Sequence, residues 1–220
     1  MTDINIKLHK HDLPDHITFE DHVSIDTEAM GLNLKRDRMC LVQLCSADKV
    51  CHLVQVFQNP KPAPNLVRVL KDKKLMKIFH FARFDLAMLY KTYSSEIFPT
   101  CGLDINLSDI SPVYCTKLAS NLCRTYSDRH SLKELCRVLL KIDLQKGEQV
   151  SDWGSDNLTH SQLRYAACDV VYLNDIRKEL DIMLKRENRM SMFRRCCDFI
   201  STRAHLDLAG WPDIDIFAHH

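Results

Sequence analysis

The sequence predicts an α/β domain with a mixed central sheet flanked by helices and a helical segment at its carboxyl end. Three observations carry that prediction. The first third alternates β-branched and polar residues in short runs; an apolar strand leads directly into a helix near residue 80; and from about residue 116 onward helical spacing dominates. Strands first, with helices interleaved and then prevailing, is the pattern of one sheet covered by helices. The 220 residues suffice for one domain with a sizeable core, expected over about residues 20–186, followed by a helix and tail over 187–220.

The elements follow in order. Val23 to Glu28 reads as a strand, because Val23 and Ile25 are apolar and β-branched. Gly31 ends it, since glycine is free to take positive φ. Leu41 to Ser46 and Val50 to Val56 alternate like two paired strands. The proline-rich turn 59–64 leads into a helix at about Asn65 to Leu70. Lys77 to Phe81 is a short apolar strand, and Ala82 to Tyr93 has helical spacing. Residues 94–112, rich in turn formers, read as an irregular connection. Val113 to Cys115 follows as a short strand, Thr116 to Arg124 as a helix, and Ser131 to Leu140 as a helix started by Ser131. Residues 143–158 read as a loop with Trp153 as its packing anchor. One long helical period then runs from Thr159 to about Arg186.

Four acids stand at places this architecture would bring together. Asp26 and Glu28 are two apart on a strand and therefore share a face at its carboxyl end, where α/β sheets usually hold their ligands. Asp85 lies in the first turns of the helix after the strand at 77–81. Tyr165 and Asp169 are four apart on one helical face. Taken singly, each has a plainer explanation: a solvated strand end, a helix-start carboxylate favoured by the dipole, a half-buried tyrosine. Asp169 is harder to explain alone, because it sits among Cys168, Val170 and Val171, and a buried charge needs a partner. A divalent cation shared among four carboxylates would be that partner.

At these residues the chain resembles the ribonuclease D group of the DEDD exonuclease superfamily, in its tyrosine-bearing branch. Asp26 and Glu28 match the first motif of that family, Asp85 the second, and Tyr165 with Asp169 the third, Tyr-x-x-x-Asp. Ser151-Asp152-Trp153 and the stretch around Gln162 and Tyr165-Ala166-Ala167 are similar as well. The segments HFARFDLAMLY, VYCTKLAS, RTYSDRHSLKEL and LDLAGWPDIDIFAH also resemble the short alphaproteobacterial nanoRNase C subgroup. The resemblance implies a ribonuclease H-like fold and 3′→5′ exoribonuclease activity releasing nucleoside 5′-monophosphates. It further implies a preference for dinucleotides, that is, very short single-stranded RNA, and a homo-oligomer of octameric form. Unlike full-length ribonuclease D, the sequence leaves only a short segment after about residue 186 where further helical domains would follow, which favours small substrates.

The resemblance also implies site roles. Asp26, Glu28, Asp85 and Asp169 would hold two divalent cations, Mg²⁺ or Mn²⁺, which suit hard oxygen ligands. Tyr165 would orient the attacking water; with an ordinary pKa near 10 it is a poor bulk base, so the metal does most of the activation. Gly31 would let the backbone approach the terminal nucleotide. Leu32 is either an apolar wedge between the last two bases or a core leucine. His80 is either a phosphate or sugar contact or a structural histidine. Thr27 and Phe84 are further candidates for the substrate pocket.

Composition narrows the classes. Hydrophobic content of 45% and charged content of 27% are ordinary for a globular protein. No run of about 18 apolar residues occurs, so no membrane span is expected, and the amino terminus lacks an apolar signal region, which points to the cytoplasm. The ten cysteines are scattered without a Cys-x-x-Cys and are expected as reduced, buried thiols; Cys40, Cys45, Cys51 and His52 fall on strand-like segments where alternate residues diverge, which argues against zinc. A net charge of +1 suits a short substrate better than a long nucleic-acid track. Lys71 to Lys77 reads as a solvated face, and the arginines at 186, 189, 194, 195 and 203 as a solvated helix face first, with substrate attraction or subunit contact as the alternatives. The five glycines form no phosphate-cradling loop, which disfavours a nucleoside-triphosphate enzyme. An exonuclease on longer RNA, or a proofreading-type exonuclease on single-stranded DNA, would share the same carboxylates, and an inactive nucleic-acid-binding module is the remaining alternative.

Overall fold

The structure, a computed structural model, describes residues 4–97, 103–144, 147 and 151–219. Among these residues six strands form one sheet in the order β1-β4-β3-β2-β5-β6. They are β1 (Asn5–Lys10), β2 (His22–Ala29), β3 (Met39–Cys45), β4 (Val50–Gln55), β5 (Met76–Phe79) and β6 (Val113–Cys115). The pairs β1·β4, β2·β5 and β5·β6 are parallel, while β3 is antiparallel to both β2 and β4. Only β3 therefore runs against the rest, and the carboxyl ends of the other five lie along one edge.

Among the described residues seven α-helices cover the sheet: α1 (Pro64–Lys71), α2 (Ala82–Tyr93), α3 (Thr116–Cys123), α4 (Leu132–Leu135), α5 (His160–Val171), α6 (Leu173–Arg186) and α7 (Met190–Ala209). Helix α4 continues as a wide turn over Cys136–Leu140. The core is the apolar face shared by β2, β3 and β4 with the inner sides of α1, α2 and α6; β3 is buried along its whole length. A smaller cluster of Cys40, Leu41, Leu53, Trp153 and Ala166 lies under α5. Trp153 is thus a packing anchor, as its context suggests. No helix among the described residues is long and apolar enough to cross a membrane.

Local chemistry explains most boundaries. Ser131 caps α4 by accepting from Glu134 N–H. Thr159 and Gln162 form a reciprocal capping box at the start of α5. Three expectations need correction. Residues 5–10 form an unanticipated strand, for which the alternation of Ile4, Ile6 and Leu8 is the available signal. The helical stretch from Thr159 to Arg186 is two helices that break at Tyr172; the apolar period runs through the break because both helices pack on the same core, and no glycine or proline marks it. Gly31 does not take positive φ, a conformation that among the glycines is confined to Gly210 over the described residues.

The basic stretch at 71–77 is not uniformly solvated. Lys77 is fully buried on β5, with Nζ donating to the backbone oxygens of Asp72 and, at 2.8 Å, of Ser111. Its side chain ties the sheet to the loop before β6, so it reads as a polar core residue and not as a surface cation. The carboxyl-terminal arginines are also partly committed. Arg203 and Arg83 both bind Asp207, and Arg189 bonds the Leu122 carbonyl.

Candidate active site

Strand β2 delivers Asp26 and Glu28 to the carboxyl-end edge of the sheet. Its pairing with β3 is regular until the register shifts between Glu28 and Ala29, where Cys40 is the extra residue. A bulge of this kind bends and twists the strand and re-aims side chains near it. Helix α5 crosses over β2, β3 and β4 and brings Asp169 to the same place. One ligand oxygen each from Asp26, Glu28 and Asp169 lie within 4.8 Å of one another, the only such group of three or more metal-ligating side chains among the described residues.

Asp85 enters from the first turn of α2. Its carboxylate is buried and accepts from Thr27 Oγ1 at 2.8 Å. It stands outside the tight trio, yet near enough that its charge raises the pKa of both Asp26 and Glu28. Thr27 is buried, and its hydroxyl supports Asp85, a role different from the expected substrate contact.

The electrostatics show how strained this gathering of acids is without counter-charge. Burial, then the neighbouring carboxylates Asp85, Asp169 and Glu28, push Asp26 well above the usual carboxylate range. Burial, then Asp169 and Asp85, push Glu28 up to about 9. Burial raises Asp85 to about 7, against the opposing hydrogen bond from Thr27. Burial raises Asp169 to about 7, against a hydrogen bond from Tyr165. Like charges drawn out of water disfavour ionisation, and a divalent cation reverses that preference. The donor set is all oxygen, which fits Mg²⁺, Mn²⁺ or Ca²⁺ better than a thiophilic ion.

Tyr165 lies one helical turn before Asp169, beside Trp153 with ring centroids 6.1 Å apart. Burial, then the charges of Asp169, Glu28 and Asp26, raise its pKa, so the phenol stays protonated and serves as a hydrogen-bond donor. His80 at the end of β5 hydrogen-bonds Thr116 Oγ1 through Nδ1 at 2.9 Å, and burial together with Lys117 lowers its pKa to about 3. It is therefore a neutral, anchored histidine. Phe84 packs against the main core. Leu32 is 84% exposed, which removes the core alternative for it.

The zinc alternative finds no support. Cys45 and Cys51 lie with sulfurs 3.3 Å apart, but His52 pairs with His9 and Cys40 bonds the Arg38 carbonyl. Two features near the site were not legible in the sequence. Phe81, which precedes α2, holds φ at 75° with its ring 4.3 Å from the Lys117 ammonium, in a cavity of about 530 Å³ that lies between α3 and α7 and not among the carboxylates. Asp37, in the loop after β2, is buried and gathers the hydrogen bonds of that loop; its only sequence signal is the Asn33-x-x-x-Asp37 spacing.

A profile described as 3′-5′ exonuclease matches residues 3–185. The chain belongs to the 3′-5′ exonuclease family. Among solved structures, NrnC of Brucella melitensis bound to pGG matches with a TM-score of 0.89 and 43% identity, over 99% of this chain and 100% of that one. The same Brucella protein with bound Mg²⁺ matches with a TM-score of 0.87, 43% identity and the same coverage. Ribonuclease D of Bartonella henselae is 28% identical over 77% of this chain, and the exonuclease spans only 38% of that relative's length. The six-stranded sheet with one reversed strand is accordingly the ribonuclease H-like exonuclease fold.

Proposed function

We propose that this exonuclease is a metal-dependent 3′→5′ exoribonuclease that hydrolyses short single-stranded RNA, chiefly dinucleotides, to nucleoside 5′-monophosphates. The observation that carries the proposal is the convergence of Asp26, Glu28 and Asp169, with buried Asp85 beside them and all four pKa values raised. Asp26, Glu28, Asp85 and Asp169 would hold two divalent cations, Mg²⁺ or Mn²⁺. Such a pair would supply charge stabilisation to the scissile phosphate and to the leaving 3′ oxygen and would activate the attacking water. The match to a protein solved with Mg²⁺ and with pGG supports both the ions and the substrate class.

The chain's own groups do the rest. Thr27 fixes the Asp85 carboxylate through its hydroxyl. The protonated Tyr165 hydroxyl orients the attacking water next to Asp169. Leu32, exposed on the loop after β2, is placed to wedge between the two bases of a dinucleotide. The Asp37 carboxylate leaves no room for a side chain at Gly31, and the bare backbone there lets a terminal nucleotide approach. Neutral His80 is assigned as a phosphate or sugar contact, and Phe84 as a further substrate-pocket residue. A cytoplasmic site of action belongs to this proposal, since the free thiols suit a reducing compartment. So does assembly into a homo-oligomer, up to an octamer, for which the exposed apolar Met192, Phe199 and Phe217 offer contact surface and sedimentation gives the test.

The deciding experiment is a length series of 5′-labelled RNAs from two to about ten nucleotides, with Mg²⁺ or Mn²⁺ and a matched DNA dinucleotide. The expected result is fastest turnover on the RNA dinucleotide, with 5′-monophosphate products. Equal rates across the lengths would remove the dinucleotide preference. Equal rates on RNA and DNA dinucleotides would remove 2′-hydroxyl discrimination.

A further inference from the structure

The loop between β2 and β3 is closed at its base by the Met30 N–H donating to the Arg38 carbonyl at 3.0 Å. Leu32 stands on this loop, exposed, with no packing of its own to fix it. What fixes the loop is Asp37. Its side chain is buried, with Oδ2 accepting from the Asn33 backbone N–H at 3.0 Å. A Cβ on Gly31 would come within 2.4 Å of that same Oδ2, so the carboxylate fills the space behind the residues on both sides of Leu32. Asn33 answers from the other end, its Oδ1 accepting from the N–H groups of Lys35 and Arg36. The carboxylate thus sets the backbone on which Leu32 rides.

The loop is also tied to the elements that carry the carboxylates. Lys91 Nζ on α2, the helix of Asp85, donates to the Asp37 carbonyl at 2.8 Å. Arg38 donates to the Gly154 carbonyl at 3.3 Å, next to Trp153, which packs beside Tyr165. Arg36 forks onto Asp37 from the solvent side, and its own side chain is largely exposed. Pairs with so exposed a partner contribute little. The bond from the Asn33 backbone N–H is the one that bears on Leu32, because it is local and ties the carboxylate to the residue that follows Leu32.

We infer that Asp37 is a positioning residue for substrate length: it holds the 31–33 backbone so that Leu32 stands at a fixed height above the carboxylate cluster. The inference rests on the proposed wedge role of Leu32. It names a residue whose removal would blur the choice between two-nucleotide and longer RNA without touching the metal site.

The test uses the full-length chain and compares Leu32→Ala, Asp37→Ala, their double variant, Asp37→Asn and Arg36→Ala on two- and four-nucleotide RNAs. Asp37→Ala is expected to raise KM for the dinucleotide about tenfold, the scale of one lost charge-assisted hydrogen bond, with kcat within about twofold. Asp37→Asn, which keeps an oxygen for the Asn33 N–H, is expected to stay within about threefold of wild type, as is Arg36→Ala. Mn²⁺ affinity should be unchanged in all of them. In the Leu32→Ala background, Asp37→Ala should add less than about twofold, because it acts through Leu32. A multiplicative effect in that background, or Asp37→Asn as impaired as Asp37→Ala, or an Asp37→Ala protein that keeps wild-type length preference while Leu32→Ala loses it, would overturn the inference alone. If Leu32→Ala itself leaves length preference intact, the wedge reading fails first and takes this inference with it.

Discussion

Asp26→Ala and Asp169→Ala are each expected to lower kcat/KM on an RNA dinucleotide by about 10³-fold or more at saturating Mg²⁺. Both residues belong to the trio of ligand oxygens within 4.8 Å of one another, so removing either opens the site shared by the cations. Metal ions supply several kcal/mol of charge stabilisation at the transition state, and each 1.36 kcal/mol is about tenfold in rate. Tyr165→Phe should cost less, about 10²-fold in kcat, since it removes one positioned hydroxyl and leaves the ligands in place. The distinguishing readout is Mn²⁺ titration calorimetry: binding is lost or weakened in the two aspartate variants and retained in Tyr165→Phe. Wild-type turnover in either aspartate variant, with contaminating nuclease excluded, would contradict the assignment.

Metal should also govern stability, and with a definite pH dependence. In the metal-free protein Asp26 and Glu28 are held protonated by burial and by neighbouring acids, and Asp85 and Asp169 titrate near 7. The ordinary values are 3.8 for Asp and 4.5 for Glu, so between those values and about 7–9 the folded state binds more protons than the unfolded chain. Stability of the metal-free protein therefore falls as pH rises through that window. Cations bind the ionised form, so their stabilising effect grows over the same range. At a hundredfold excess over Kd a single bound ion contributes about 2.7 kcal/mol, or about 5–10 °C in Tm for a chain of this size. Thermal melts with EDTA and with Mg²⁺ at pH 6 and pH 8 give the check. The Mg²⁺ gain should be larger at pH 8, and Asp26→Asn should reduce it at both. A gain independent of pH, or one undiminished in Asp26→Asn, would contradict the linkage.

The spacing of the acids and Tyr165 was readable in the sequence because strand and helix periods are local geometry. Asp26 and Glu28 share a face for the same reason that Val23 and Ile25 alternate with polar neighbours, and Tyr165 precedes Asp169 by one turn of α5. Capping at Ser131 and Thr159 was equally local. What escaped was set by tertiary contact. The fold of α5 into α6 at Tyr172 leaves no mark in the apolar period, because both helices bury the same kind of face. Lys77 looks like a surface cation until the Asp72 and Ser111 carbonyls are seen to surround it. Gly31 suggests a turn conformation, whereas its small size answers to the Asp37 carboxylate six residues on. Thr27 and Asp85, 58 residues apart, form a bond that neither local context announces.

The central claim, that one cluster of acids holds two cations, is tested most directly by crystals grown with Mn²⁺ and a non-hydrolysable RNA dinucleotide, read by the anomalous signal of manganese. The account predicts two peaks about 3.5–4 Å apart, bounded by Asp26, Glu28, Asp85 and Asp169, with the scissile phosphate against both. No peak among these four carboxylates, or manganese bound elsewhere while the dinucleotide occupies the site, would contradict it.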